Sequence, residues 1–386
     1  MFDGSFSRRK VVALTALVLL AGCKVIPRSA PVSAPPPVAN VVPNANTLPA
    51  DQQRHRVALL VPLTGVNAAV GQSLANATTM ALLDTNAANL RITTYDTATG
   101  AGAAAARAIA DGNKLILGPL MSDDVALVTA AARPAHVPLI SFSNDSQVAA
   151  RDVFLMGLSP NQSISRTIEY ARAHGVGRFA ALIPTGLYGE RAGSAFQLAV
   201  REAGGSVSST ETYDRGNTSV TSAAHRLQTR GGYDAVLLAD GARLTAQAAP
   251  LLRATAASPR LLGTELWSGE SAITTIPALR GAWFSAVSDG RWKQFSDSYR
   301  ARFAVAPRRI STLGYDAVLL ALNVARSWRP GTPFPTAKLS DRGGFLGLDG
   351  PFRFGIDGVA ERALEVREVR VGGITVVSPA PARFGD

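Results

Sequence analysis

From residue 56 to residue 141 the chain alternates short runs of strand character, the first of them apolar throughout its middle, with longer stretches of helical periodicity. The runs at 56–62, 90–96, 114–118 and 137–141 read as buried strands. The stretches at 71–86, 101–110 and from 122 onward read as helices. Strands without polar alternation belong to parallel sheets that are covered by helices on both faces. The pattern restarts after Gly157-Leu-Ser-Pro160, with helices expected at 163–174, 189–203 and 219–229 and strands at 178–184, 207–213, 233–240 and 259–263. A further strand at 281–289 precedes helices at 291–303 and 311–328. In the tail, 345–354 and 364–377 change to short alternating runs around glycines, which is hairpin chemistry. The expected fold class is α/β: two doubly wound parallel-sheet lobes with a central cleft. Open sheets of this kind take ligands at the carboxyl ends of their strands.

The N-terminal segment has a different pattern. Arg8, Arg9 and Lys10 precede an apolar run at 11–21. A membrane-spanning helix needs about 20 residues, so this run is too short to span and reads as a secretory signal. It ends in Leu20-Ala21-Gly22-Cys23, which resembles a bacterial lipobox. That resemblance implies a signal peptide at 1–22, lipidation of Cys23 and anchoring in a membrane. Lys24 follows the cysteine where an inner-membrane lipoprotein would carry aspartate, so the outer membrane is favoured. Seven of the 23 prolines then fall between Pro27 and Pro49 without apolar periodicity, so residues 23–53 read as a tether. About thirty residues in polyproline II would reach about 90 Å.

Composition narrows the chemistry. Of 386 residues 47% are hydrophobic and 17% charged, as in a folded protein, and the length fits two domains. The single cysteine excludes an internal disulfide. The four histidines, His55, His136, His174 and His225, are scattered, so no metal site is expected. The net charge is +11, but 34 of the 39 basic residues are arginines scattered along the chain, with no block of five or six of the kind nucleic-acid proteins concentrate on one element. Gly100-Ala-Gly-Ala-Ala-Ala105 imitates a dinucleotide fingerprint but follows the second strand of its lobe in an alanine-rich helix. No P-loop and no nucleophile elbow occurs. No cofactor and no enzymatic activity are expected.

Arg56-Val-Ala-Leu-Leu-Val-Pro-Leu-Thr-Gly65 with Gly71-Gln72, Lys114-Leu-Ile-Leu-Gly-Pro-Leu-Met-Ser122, Val137-Pro-Leu-Ile-Ser141, Tyr188-Gly189 and Leu313-Gly-Tyr-Asp316 occur in an order that resembles the type I periplasmic binding proteins, the leucine-binding-protein-like superfamily. Within it, Gly118-Pro-Leu-Met-Ser-Asp-Asp-Val125, Ile140-Ser-Phe-Ser-Asn-Asp145, Phe154-Leu-Met-Gly-Leu-Ser-Pro160 and Gly343-Gly-Phe-Leu-Gly-Leu-Asp-Gly-Pro-Phe-Arg-Phe354 resemble the penicillin-binding protein activator lipoproteins. That resemblance implies a regulator contacting a peptidoglycan synthase. The wider superfamily implies the alternative, a solute receptor of an ABC importer for branched-chain or related amino acids, amides or short peptides, with a permease as partner. It also implies three crossings between lobes. Lobe one is expected at 54–158 and 281–338, lobe two at 159–280 and 339–380.

The resemblance also implies cleft residues. Ser122 would hydrogen-bond a ligand carboxylate; the plain alternative is an ordinary helix N-cap beside Asp123 and Asp124. Ser143 and Asp145 fall near the position that completes that carboxylate site. A fixed Asp145 carboxylate there disfavours a free amino acid and leaves a neutral or cationic ligand open. Val70 stands where relatives often present a tyrosine. Glu265 matches the acid that holds a ligand ammonium, or else is a solvated loop carboxylate. Tyr188 matches a cleft tyrosine, or else packs within its loop. Trp267 could stack on a ligand from the interlobe loop.

Overall fold

The computed structural model describes residues 53–254 and 258–384. The expected signal, Cys23 and the tether up to residue 52 lie outside the described residues. Lobe one opens with β1 (His55–Val61), α1 (Ala68–Asp84), β2 (Leu90–Asp96), α2 (Ala101–Ala110), β3 (Leu115–Leu117), α3 (Ser122–Ala132), β4 (Leu139–Ser141) and β5 (Val153–Leu155). The five strands form a parallel sheet in the order β2-β1-β3-β4-β5.

The continuous apolar run of β1 is explained by two cores. Val57, Leu59 and Val61 face one hydrophobic cluster, Ala58 and Leu60 the other, and all five are fully buried. Successive side chains leave a strand on opposite faces, so a strand covered on both sides can afford no polar position. Gly100 has φ 136° at the entry to α2, whose alanines pack into the second cluster. A turn into an alanine-packed helix accounts for the glycine pattern there without a nucleotide.

The chain then crosses and builds lobe two: α4 (Pro160–Ala173), β6 (Arg178–Pro184), α5 (Leu187–Glu202), β7 (Ser206–Tyr213), α6 (Ser219–Arg230), β8 (Ala235–Leu238), α7 (Ala242–Arg253), β9 (Arg260–Leu262) and β10 (Trp283–Ala286). It returns for α8 (Trp292–Phe303), α9 (Thr312–Ala325) and a small antiparallel sheet of β11 (Phe345–Gly347), β12 (Gly350–Phe354) and β13 (Ala360–Arg362). It ends in the hairpin β14 (Glu365–Arg370) and β15 (Gly373–Ser378). The second sheet has seven strands, ordered β15-β14-β10-β9-β8-β6-β7. Its β7-to-β10 part is parallel, and β14 and β15 add antiparallel.

Two expected boundaries shift. The strand near 281, assigned to lobe one, pairs with β9 through Trp283 and Leu262 and with β14, so it belongs to the second sheet. The second crossing therefore follows Ala286. Residues 339–362, assigned to lobe two, pack on lobe one, because Leu339, Phe352, Phe354 and Ala360 join the core of Val57, Leu59 and α9. Only the chain from about Ala363 onward returns to lobe two.

The two lobes share one tight approach. A Cβ on Gly71 would lie 1.8 Å from the Pro62 carbonyl oxygen, and one on Gly189 1.6 Å from that of Pro184. In each lobe a proline ends or directly follows the first strand, and the next helix presses its glycine onto that carbonyl. Gly189→Ala must push backbone apart, and its unfolding free energy is expected to fall by about 1–3 kcal/mol in urea denaturation.

Candidate functional site

Loops at the carboxyl ends of the strands carry the candidate residues. On lobe one, β3 leads to Ser122 and β4 to Ser143 and Asp145. On lobe two, β6 leads to Tyr188 and β9 to Glu265 and Trp267.

Ser122 is the first helical residue of α3, and Met121 occupies the cap position without a side-chain bond. The ordinary N-cap role is therefore not the one it plays. Its hydroxyl lies 3.4 Å from Asp123 Oδ1, which it approaches as donor. Asp124, half-buried beside Asp123, is pushed above the usual carboxylate range by burial and then by that neighbour. Val70 is partly buried against the lobe-one core.

Ser143 is buried, and its hydroxyl accepts the Asp145 N–H at 3.1 Å. Asp145 Oδ1 accepts the Gln147 N–H at 3.1 Å. Its other oxygen pairs at 2.5 Å with Arg191 of α5, whose guanidinium also donates to Asn144 at 3.0 Å. Arg191 thus joins lobe two to lobe one across the cleft. The Asp145 carboxylate is paired, with a cation from the opposite lobe neutralising it. The helical i,i+3 spacing from Tyr188 to Arg191 was the available sequence signal, since it sets both on one face.

Tyr188 donates to Glu265 Oε1 at 3.0 Å, and its oxygen lies 3.0 Å from Thr264 Oγ1. Arg215 lies over the tyrosine ring, 5.1 Å from its centre, and pairs with Asp240 at 2.8 Å. Burial, then the Glu265 charge, raises the Tyr188 phenol well above its usual range, so it stays a donor. Burial pushes Glu265 up to about 7, against the hydrogen bonds that favour its charged form. It is not a solvated loop carboxylate, and its Oε2 is buried without a hydrogen bond.

Trp267 does not stack in the cleft. It is fully buried in the lobe-two core, 5.6 Å from Phe284, and its Nε1 donates to the Asp240 carbonyl at 2.9 Å. Its ring lies over Gly263, where a Cβ would come within 2.3 Å of the indole. The glycine makes the room, and the tryptophan is structural.

Behind these groups the three crossings carry a network that sequence reading missed. Asp289, in the second crossing, is gripped by Arg309 of lobe one at 3.3 Å and by Arg367 of β14. Arg367 also donates to Glu365 at 2.7 Å and to the Val287 carbonyl. Arg309 pairs with the buried Asp349 at 2.7 Å, and Thr312 donates to the second Asp349 oxygen at 2.8 Å. Asp316 is fully buried; burial, then Asp349, pushes it up to about 7. Arg362, in the third crossing, donates to the Met156 carbonyl of the first at 2.8 Å. Gln162 clamps the same place, donating to the Ala360 carbonyl at 2.6 Å and accepting the Arg362 N–H at 3.0 Å. Among the described residues no group of three or more His, Cys, Asp or Glu could hold a metal ion.

Two α/β lobes, three crossings and polar groups converging from both lobes define a two-lobed, hinged binding fold. The chain belongs to the periplasmic binding protein family, whose model matches residues 55–373. A solved structure of a putative branched-chain amino acid ABC transporter from Rhodospirillum rubrum is 22% identical, with a TM-score of 0.74, covering 84% of this chain and 100% of that one. The leucine binding protein LivK of Thermotoga maritima is 19% identical, with a TM-score of 0.65, over 84% and 98%. A solute binding protein of R. palustris in complex with benzoate is 18% identical, with a TM-score of 0.66, over 86% and 98%. These likenesses show the type I, leucine-binding-protein-like fold. An uncharacterized protein of Rickettsia prowazekii (strain Madrid E) is 30% identical over 166 residues, which are 42% of this chain. The match spans 44% of that relative's length.

Proposed function

We propose that the protein is a periplasmic solute receptor that closes its lobes over a small molecule and presents it to an ABC permease. The observation that carries this reading is the meeting of Tyr188, Thr264 and Glu265 at the mouth of the hinge, with one Glu265 oxygen buried and unbonded. A buried polar atom without a partner costs about 1–3 kcal/mol, which a ligand donor would recover. Ser122 and Ser143 face this cluster from the lobe-one loops in the same proposal. The Asp145–Arg191 pair already holds a carboxylate there, so a ligand bringing its own would compete with it. Lipidation at Cys23 and a place on the outer membrane belong to this proposal too.

The test is thermal unfolding of the protein with amino acids, amides, short peptides and muropeptides. A ligand at 100 times its Kd stabilises by about 2.7 kcal/mol. At roughly 2–4 °C per kcal/mol, a shift of about 5–10 °C is expected with one class. A flat response across the panel would reject the receptor reading.

One observation favours a second reading. Arg191 bridges to Asn144 and Asp145 and so ties the two lobes directly to each other, which suits a protein that works through its surface. In that reading it regulates a penicillin-binding protein acting as peptidoglycan synthase. Adding the protein to the purified synthase should then raise the rate of glycan polymerisation.

A further inference from the structure

The three crossings enclose a crevice lined by Ser159, Gln162, Glu265, Ser268, Val287 and Arg362, among others. Ten buried side-chain polar atoms among the described residues have no hydrogen bond. Three of them, Glu265 Oε2, Ser268 Oγ and Arg362 Nε, belong to residues lining this one crevice. Buried polar groups are nearly always paired, so three orphans around one space mark a place built for an occupant. As described, the space admits about one water molecule. Anything larger must enter as the crossings move and the lobes part.

The orphan atoms specify the occupant's chemistry. Arg362 Nε–H can only donate, and Glu265 Oε2 accepts either as a carboxylate oxygen or, with the proton on Oε1, as the carbonyl oxygen of the neutral acid. The Ser268 hydroxyl can do either. An occupant must therefore offer an acceptor to the arginine and a donor to the glutamate. Charge narrows the choice further. In the surrounding network Arg309, Arg362 and Arg367 are matched by Asp289, Asp349 and Glu365. Burial favours the neutral forms of Glu265 and Asp316. A net charge introduced here would be left uncompensated in a poorly solvated place.

Resting on the receptor reading, we infer that the ligand's head group is a neutral carboxamide, its oxygen held by Arg362 and Ser268 and its N–H by Glu265. This differs from a free amino acid held by its carboxylate on lobe one, where Asp145 and Arg191 are already paired. The rest of the ligand would extend from the hinge toward Tyr188 and the lobe-one loops.

Isovaleramide, isovalerate and isoamylamine share one carbon skeleton and differ only in the head group. Titration calorimetry of the full-length protein at pH 7.5 with these three and with leucine tests the assignment. Isovaleramide is expected to bind at least tenfold more tightly than the others. Glu265→Met should weaken it tenfold or more, and Ser268→Ala by a few-fold with the least disturbance to folding. Binding of isovalerate or leucine without isovaleramide overturns the carboxamide assignment and leaves the receptor reading standing. The same follows if none of the four binds while another solute class shifts the unfolding temperature, for the crevice then holds water only. A response flat to every solute overturns both.

Discussion

Replacing Arg309 by methionine is expected to lower the unfolding free energy by about 3–5 kcal/mol, the largest effect of any single substitution considered. The reason lies in what remains. Asp349 is 2% exposed and would keep the Thr312 hydroxyl and the charge of nearby Arg362, but no direct ion pair. A buried carboxylate stripped of its cation is destabilising well beyond the worth of the pair itself. Asp289 would suffer less, because Arg367 still holds it. Urea denaturation of the single variant, of Asp349→Leu and of the double variant provides the check. The double variant should recover most of the loss, since an apolar pair of similar volume is often no worse than a buried ion pair. A single-variant cost below about 1 kcal/mol would mean that the network behaves as a solvated surface cluster.

The second large effect is on pH dependence. Burial raises Glu265 from 4.5, and Asp316 from 3.8, to about 7. Both therefore bind a proton more tightly in the folded chain than in the unfolded one. Their stabilising contribution is complete below about pH 4, where both states are protonated. It is lost as pH rises toward 7, where the unfolded chain has already ionised. At 1.36 kcal/mol per unit the loss is at most about 3 kcal/mol for Glu265 and about 4 kcal/mol for Asp316. Asp152 and Asp234 act in the opposite sense, held low by Arg133 and Arg178, but these are largely exposed pairs of small worth. Stability measured from pH 5 to pH 8 is expected to fall. Glu265→Gln should remove part of that slope and be relatively more stable at pH 8. A wild-type profile flat over this range would show that Glu265 and Asp316 are better solvated than their burial implies.

The alternation of strands and helices was legible because a strand covered on both faces leaves no polar position. The run from Val57 to Val61 shows this directly, feeding two cores in turn. Membership of a lobe was not legible. Whether Trp283 pairs with Leu262 or with lobe one depends on partners distant in sequence, and nothing local in Trp283-Phe-Ser-Ala286 encodes the choice. The tail hairpins were visible as hairpins, yet one packs on lobe one and the other extends the lobe-two sheet. At the site, Tyr188 and Glu265 were named separately and the fold brings them into contact. Trp267 was misplaced because a loop assignment said nothing of Gly263, whose bare backbone lets the indole turn inward. Arg362 carried no sequence signal. Its importance comes from burial at a crossing, and among 34 arginines burial cannot be read from spacing.

The described chain enters at His55, at the amino end of β1, whereas the loops bearing Ser122 and Ser143 leave the carboxyl ends of the neighbouring strands. Seven residues of β1 separate those two ends, about 20 Å. A pull applied through the preceding residues is therefore borne by lobe one, while lobe two is joined to it by the three crossings and the Arg191 contacts across the cleft. The molecule is built like a vice with one fixed jaw. If the proposed receptor is held through the residues before β1, lobe one is the fixed part, and lobe two is the part that would swing, carrying Tyr188, Arg191 and Glu265 toward or away from a stationary opposite face.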